Sequence, residues 1–144
     1  MKTTRLILLI IFPSLLLSMK CVKHKEDTAD CHYRMRLNNN SNTSVYVCIS
    51  YDYPDTSLNF QRRNYNGLDG YAPAHNSTYF PESEANCLES GFRYSGQKMS
   101  IFLFDAAMLK DTPWSVVRQN YMVFKRLDFT LNELRSMDFI IDVE

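Results

Sequence analysis

The sequence predicts a mainly β domain of the α+β class, an antiparallel β-sandwich or half-barrel with two short helices in the C-terminal third. Three observations carry this. Short runs of alternating apolar and polar residues recur between turn signals from His32 onward. The chain holds nine Tyr, nine Phe and one Trp, side chains that suit pleated, half-buried surfaces. Apolar residues at helical spacing are confined to residues 105–137.

The start of the chain sets its organisation. Lys2 and Arg5 precede an apolar run over residues 6–17, interrupted by Pro13 and Ser14, which is the layout of a secretory signal peptide. The run is shorter than the ~20 helical residues that span a bilayer core, so a removable leader is the better reading. Cys21 follows at once, at the place where a bacterial lipoprotein carries its lipid-modified cysteine. Residues 22–30 are charged and show no apolar period. The expected division is a signal peptide over 1–20, a lipid-anchor cysteine and flexible tether over 21–30, and a single β-rich domain over 31–144. Lys2, Arg5 and Lys20 leave with the leader, and the mature chain turns mildly acidic where the whole chain has net charge +0. Such a balance excludes a strong electrostatic pull on nucleic acid.

Residues 32–37 and 44–51 form two strand-like runs across an Asn-rich turn, Asn38 to Thr43, and predict a hairpin. Tyr33, Met35 and Leu37 share one face of the first run, and Val45, Val47 and Ile49 one face of the second. His32, Arg34 and Arg36 fall on the opposite side, which suits a solvated outer surface. Residues 57–62 predict a short strand and residues 64–75 an irregular loop, flagged by Tyr53-Pro54-Asp55, Asn66-Gly67, Asp69-Gly70 and Ala72-Pro73. Short strands are expected at 78–81 and 91–94. The run Lys98-Met-Ser-Ile-Phe-Leu-Phe104 is apolar on both faces and predicts the most buried strand.

Beyond it the period changes. Residues 105–110 allow a helical turn, and Asp111-Thr112-Pro113-Trp114 is a helix start, with Trp114, Val117 and Tyr121 on one side. Residues 121–127 predict a strand. Thr130 with Glu133 three residues later forms a capping box ahead of a helix over 131–137, and residues 139–143 predict the last strand. The expected core is Tyr33, Met35, Val45, Val47, Ile49, Ile101, Leu103, Trp114, Val117, Val123 and Ile140.

The cysteines are Cys21, Cys31, Cys48 and Cys87, with no CxxC pair. A lipid on Cys21 leaves three, which allows one disulfide and one free thiol, or no disulfide. His24, His32 and His75 are scattered singly, so neither a metal nor a cofactor is expected.

The order of Asn39-Asn40-Ser41, Val45-Tyr46-Val47, Tyr53-Pro54-Asp55, residues 102–105, Pro113-Trp114, residues 117–126 and residues 130–134 resembles a group of small uncharacterised lipoproteins from gut bacteria of the Bacteroidota. That resemblance implies no activity. It implies an address in the cell envelope, at the outer membrane and surface exposed, with a palmitate-type acyl chain on Cys21. Lys25-Glu26-Asp27 resembles the basic-then-acidic tag of such lipoproteins, and Asp27-Thr28-Ala29 resembles their O-glycosylation acceptor. Lys20 departs from the pattern, which has a small residue before the cysteine.

The sequence contains no GxSxG elbow, no HExxH, no glycine-rich phosphate loop, and only four glycines. Asp52 with Asp55, or Asp69 with Asp105, would suit a glycosidase's two acids. Cys48 or Cys87 with His32 or His75 would suit covalent catalysis. Both need convergence in space, and no catalytic residue is assigned. The expectation is a membrane-anchored exported lipoprotein acting as a non-catalytic binding or structural module, with a small cell-envelope hydrolase such as a glycosidase as the alternative. Its partners are the membrane, through Cys21, and a glycan or peptide. The segment over residues 52–75 would meet that ligand, through Tyr53, Tyr65 and Tyr71 with Asn64, Asn66 and Asp69 as hydrogen-bonding neighbours.

Overall fold

The computed structural model describes residues 31–54, 56–59, 69–81 and 86–144. In chain order its elements are β1 (Met35–Asn39), β2 (Val45–Ser50), β3 (Gly70–Ala72), β4 (Asn76–Phe80), a 3-10 turn (Leu88–Gly91), β5 (Lys98–Asp105), α1 (Ala106–Asp111), α2 (Trp114–Gln119), β6 (Lys125–Thr130), α3 (Leu131–Ser136) and β7 (Ile140–Val143). The strands form two sheets, ordered β4-β1-β7 and β3-β2-β5-β6. The mainly β, α+β sandwich reading therefore holds, with three short helices among the described residues where two were expected. Every pairing is antiparallel except β1 with β7.

The main core lies between the sheets. Met35 and Leu37 of β1, Val45 and Val47 of β2, Met99, Ile101 and Leu103 of β5, and Ile141 and Val143 of β7 are all buried there, with Leu134 of α3. Alternation explains the set, since every second residue of a strand points to one face. A second, smaller core covers part of the other face of the four-stranded sheet. Cys48, Phe102 and Phe104 pack there against Leu109 of α1, Val117 of α2 and Leu58. Two-sided cover is what the apolar β5 required.

Helix starts follow their capping chemistry. The Asp105 carboxylate accepts from Ala107 N and Met108 N, satisfying orphan donors of α1. Thr130 and Glu133 form the reciprocal capping box of α3.

Several expectations need correction. The first two strands are not a hairpin: β1 lies between β4 and β7, and β2 between β3 and β5. The Asn-rich turn instead carries the chain from one sheet to the other. Asn39, fully buried, donates from Nδ2 to the carbonyls of Thr43, Ala72 and Pro73 at 2.8, 3.1 and 3.1 Å, while its Oδ1 accepts from Ser41 Oγ at 2.7 Å. A buried amide satisfied this way fixes a corner rather than a tight reversal. The loop expected over 64–75 contains β3, because Gly70 has no Cβ to collide with Phe80, whose own Cβ would lie 2.9 Å from one. Residues 91–94 form no strand, since the 3-10 turn occupies their start. Residues 57–59 lie outside any strand, and residues 60–62 of that expectation fall outside the described residues.

The strand expected from Tyr121 begins only at Lys125. Tyr121 takes a positive φ of 47°, and its carbonyl accepts from Val123 N at 2.8 Å, a tight turn ahead of β6. Tyr121 is therefore exposed rather than inward. Tyr33 is also exposed, because β1 starts two residues after it. Ile49, Trp114, Val123 and Ile140 are half-buried, and Ile141 takes the inward position expected of Ile140.

Candidate functional site

The end of β2 organises the concave surface. Ile49 and Ser50 close the strand, and the ring of Tyr51 then lies over Gly91, where a Cβ would overlap it. Tyr51 donates its hydroxyl proton to the Leu88 carbonyl at 3.0 Å and meets Phe92 edge to face at 5.4 Å. Gln97, itself buried, donates to the Tyr51 carbonyl at 2.9 Å. Burial, with the charges of Glu89 and Asp69 nearby, pushes the Tyr51 phenol up to about 12. The residue is thus a fixed wall, with a cleft on either side.

The first cleft, of about 390 Å³, runs from Tyr51 and Asp52 past Leu58 and Asn59 to Arg93 and Phe102. Leu58 reaches the smaller core only by adopting a φ of 52°, an uncommon conformation for a branched side chain. Arg118 of α2 holds the same stretch by donating to the Ser57 carbonyl and the Asn59 Oδ1. This part of the wall is pinned at both backbone and side chain.

Alongside lies the part of the outer sheet face where α1 and α2 give way to polar side chains. Ser50, Ser100 and Asp128 stand in register across β2, β5 and β6, as do Cys48, Phe102 and Arg126. Ser100 donates to Asp128 Oδ1 at 2.7 Å, Arg126 Nε donates to the same oxygen at 2.8 Å, and Arg126 Nη2 donates to Ser100 Oγ at 3.0 Å. Burial would lower the Arg126 guanidinium, but the hydrogen bonds it donates to Asp128 and Tyr121 carry it above its ordinary value. Arg126 also lies over the rings of Phe102 and Tyr53, at 5.2 and 5.4 Å, and Lys98 Nζ lies 5.6 Å from the Tyr53 ring. Two cations thereby seat Tyr53 at the rim while 39% of it stays exposed.

The second cleft, of about 400 Å³, lies on the other side of Tyr51, among Ile49, Asp69, Pro81, Asn86 and Leu88. Asp69 is fixed there by its own N–H, which donates to the Val47 carbonyl at 3.0 Å, and by Oδ2, which accepts from Ile49 N at 2.6 Å. Burial pushes its carboxyl up, against the opposing pull of the Ile49 amide and Cys48.

The expected ligand residues are thus divided. Tyr53 stands beside the first cleft and Asp69 lines the second, while Tyr71 of β3 leans on Tyr46 with ring centres 5.0 Å apart. Asn64, Tyr65 and Asn66 lie outside the described residues, as does Cys21 with the whole leader and tether. Tyr51, Arg93, Ser100 and Arg126 were not foreseen. A serine inside an otherwise apolar strand was their one visible signal.

Of the groups weighed for catalysis, Cys87 and His32 do converge, both on Glu89, whose Oε2 lies 3.0 Å from Cys87 Sγ, but that sulfur is not a free thiol. Cys87 is joined to Cys31 with Cα atoms 5.4 Å apart, and Cys48 is buried in the smaller core. The His32 ring stacks on Phe139 and contacts Glu89 Oε1 at 2.7 Å, and His75 meets Asn42 Oδ1 at 2.9 Å. Asp105 caps α1, and Asp55 lies outside the described residues. Among the described residues, Cys31, Cys87 and Glu89 bring three ligand-type atoms within 4.8 Å, but both sulfurs are spent in the disulfide. Comparison with family models, curated proteins and solved structures returns no match for this chain.

Proposed function

We propose that this chain is an exported module, tethered to the outer membrane through a lipid on Cys21, that binds a ligand without transforming it. The observation that carries the binding half is Tyr53. An exposed aromatic ring, seated by Arg126 and Lys98 beside a cleft of about 390 Å³, is a surface prepared for stacking. Asp52, Asn59 and Arg93 offer hydrogen bonds of both kinds along the same wall. A glycan or peptide segment suits this mixture, since each combines an apolar face with donors and acceptors. Ser100, Arg126 and Asp128 hold one another, so the polar strip serves to position Tyr53 and Phe102 rather than to move protons.

The export half is supported by the leader, by the resemblance to envelope lipoproteins, and by the Cys31–Cys87 disulfide, a bond that persists in oxidising compartments. The test is a glycan and peptide array probed with the purified protein, followed by Tyr53→Ala and Arg93→Ala on any hit. Loss of roughly tenfold or more in affinity is expected for a stacking residue at the centre of a site. A confirmed ligand that binds both variants as it binds the parent rules this cleft out.

A further inference from the structure

We infer that the second cleft, on the far side of Tyr51, binds a small organic cation, an ammonium group on a short apolar body, with Asp69 as its counter-ion. Ile49, Pro81 and Leu88 give the cleft apolar walls, Tyr51 an aromatic one, and Asp69 carries the only charge among the described residues that line it. Among the described lining residues none is a Lys, Arg or His that would answer that charge. Desolvated carboxylates are costly unless paired, so a cation supplied from outside gains what the protein leaves unspent.

Position adds to composition. Asp69 cannot swing away to water, because its backbone N–H and one carboxylate oxygen are both committed to β2, at 3.0 and 2.6 Å. The charge is therefore held in place before a ligand arrives, which lowers the ordering cost of binding. Glu89 extends the negative field from beyond the lining, since it acts with Asp69 on the Tyr51 phenol, and its carboxylate also meets His32 Nδ1 at 2.7 Å. A tyrosine ring also attracts a cation placed over its face. The first cleft has Arg93 as well as Asp52 and lacks this one-sided character. At about 400 Å³ the space suits a ligand of a few heavy atoms.

The test is an amide-resolved NMR titration of the purified protein with n-butylammonium, with n-butanol as the neutral probe of equal shape. Saturable shifts are expected at the amides of Ile49, Leu88 and Ser90, with n-butanol roughly tenfold weaker or worse. Asp69→Asn keeps an acceptor for the Ile49 amide and removes the charge, so it should weaken n-butylammonium by a similar, roughly tenfold factor. Asn86→Lys, at an exposed rim position, sets a competing ammonium beside the cleft and should weaken it too without touching the fold. Absence of saturable shifts, equal binding of n-butanol, or parent-like binding in both variants overturns the inference.

Discussion

The ring of Tyr51 lies in the space that any side chain on residue 91 would occupy, so the wall between the two clefts exists only because that residue is glycine. Gly91→Ala must displace the ring, break its hydroxyl contact with Leu88 and disturb its edge-to-face packing on Phe92. Overpacking of this kind costs about 1 to 3 kcal/mol. A lowered melting temperature with a changed near-UV tyrosine signal is the expected result.

Tyr51 also sets the protein's behaviour in alkali. Its phenol ionises near 10 when unfolded but only at about 12 in the fold, so the folded state retains the proton longer. Stability from this source is complete below pH 10 and is lost as the pH climbs from 10 toward 12. Urea melts across that range should show a decline that Tyr51→Phe flattens, and spectrophotometric titration should show a late-titrating phenol that Tyr51→Phe removes.

Asp69 behaves in the opposite sense from a stabilising acid. Burial raises its carboxyl above the ordinary 3.8, so the folded state binds the proton more tightly than the unfolded chain does. Stability therefore falls as the pH rises from 3.8 toward the raised value of the folded state. Asp69→Asn should melt higher than the parent at pH 7, and the gap should close on acidification below 3.8. A site residue that costs the fold something is a familiar trade between stability and function.

The disulfide spans 56 residues of sequence. In the chain-entropy view a loop of that length is worth about 4 kcal/mol, drawn from the unfolded state. The double variant Cys31→Ser/Cys87→Ser should lose close to that amount in chemical denaturation. Reductant should bring the parent down to the same midpoint and leave the variant unchanged.

Cys21 as the lipid site has its own test. Metabolic labelling with an alkyne fatty acid should mark the parent, and Cys21→Ser should carry no label. Label that survives the substitution would sink the anchor assignment.

What could be read from the sequence was what neighbouring residues decide among themselves. The buried run of β5 announces itself because no polar face interrupts Ile101 to Phe104, and the Thr130–Glu133 box because both partners lie within one helical turn. The site was less visible because its contacts join distant stretches. Ser100 meets Asp128 across 28 residues, and Gln97 meets the Tyr51 carbonyl across 46. Nor does an Asn-rich turn say whether the strands beside it will pair together. That was decided by Asn39 finding carbonyl partners at Ala72 and Pro73, more than thirty residues along. Tyr53 was visible as an aromatic in a turn, but the two cations that seat it come from β5 and β6.

The clasp between Cys31 and Cys87 also determines how the domain meets mechanical load. Cys31 is the first residue of the compact unit, and the next strand, β1, is the middle strand of its sheet. Tension drawn through the N-terminus reaches the sulfur bridge before it reaches Met35, and passes there to the segment leading into the 3-10 turn. The force is shared between two places in the chain, and β1 cannot be peeled from β4 and β7 one hydrogen bond at a time. A domain pulled from that end resists as a block, and cutting the bridge converts it into one that unzips.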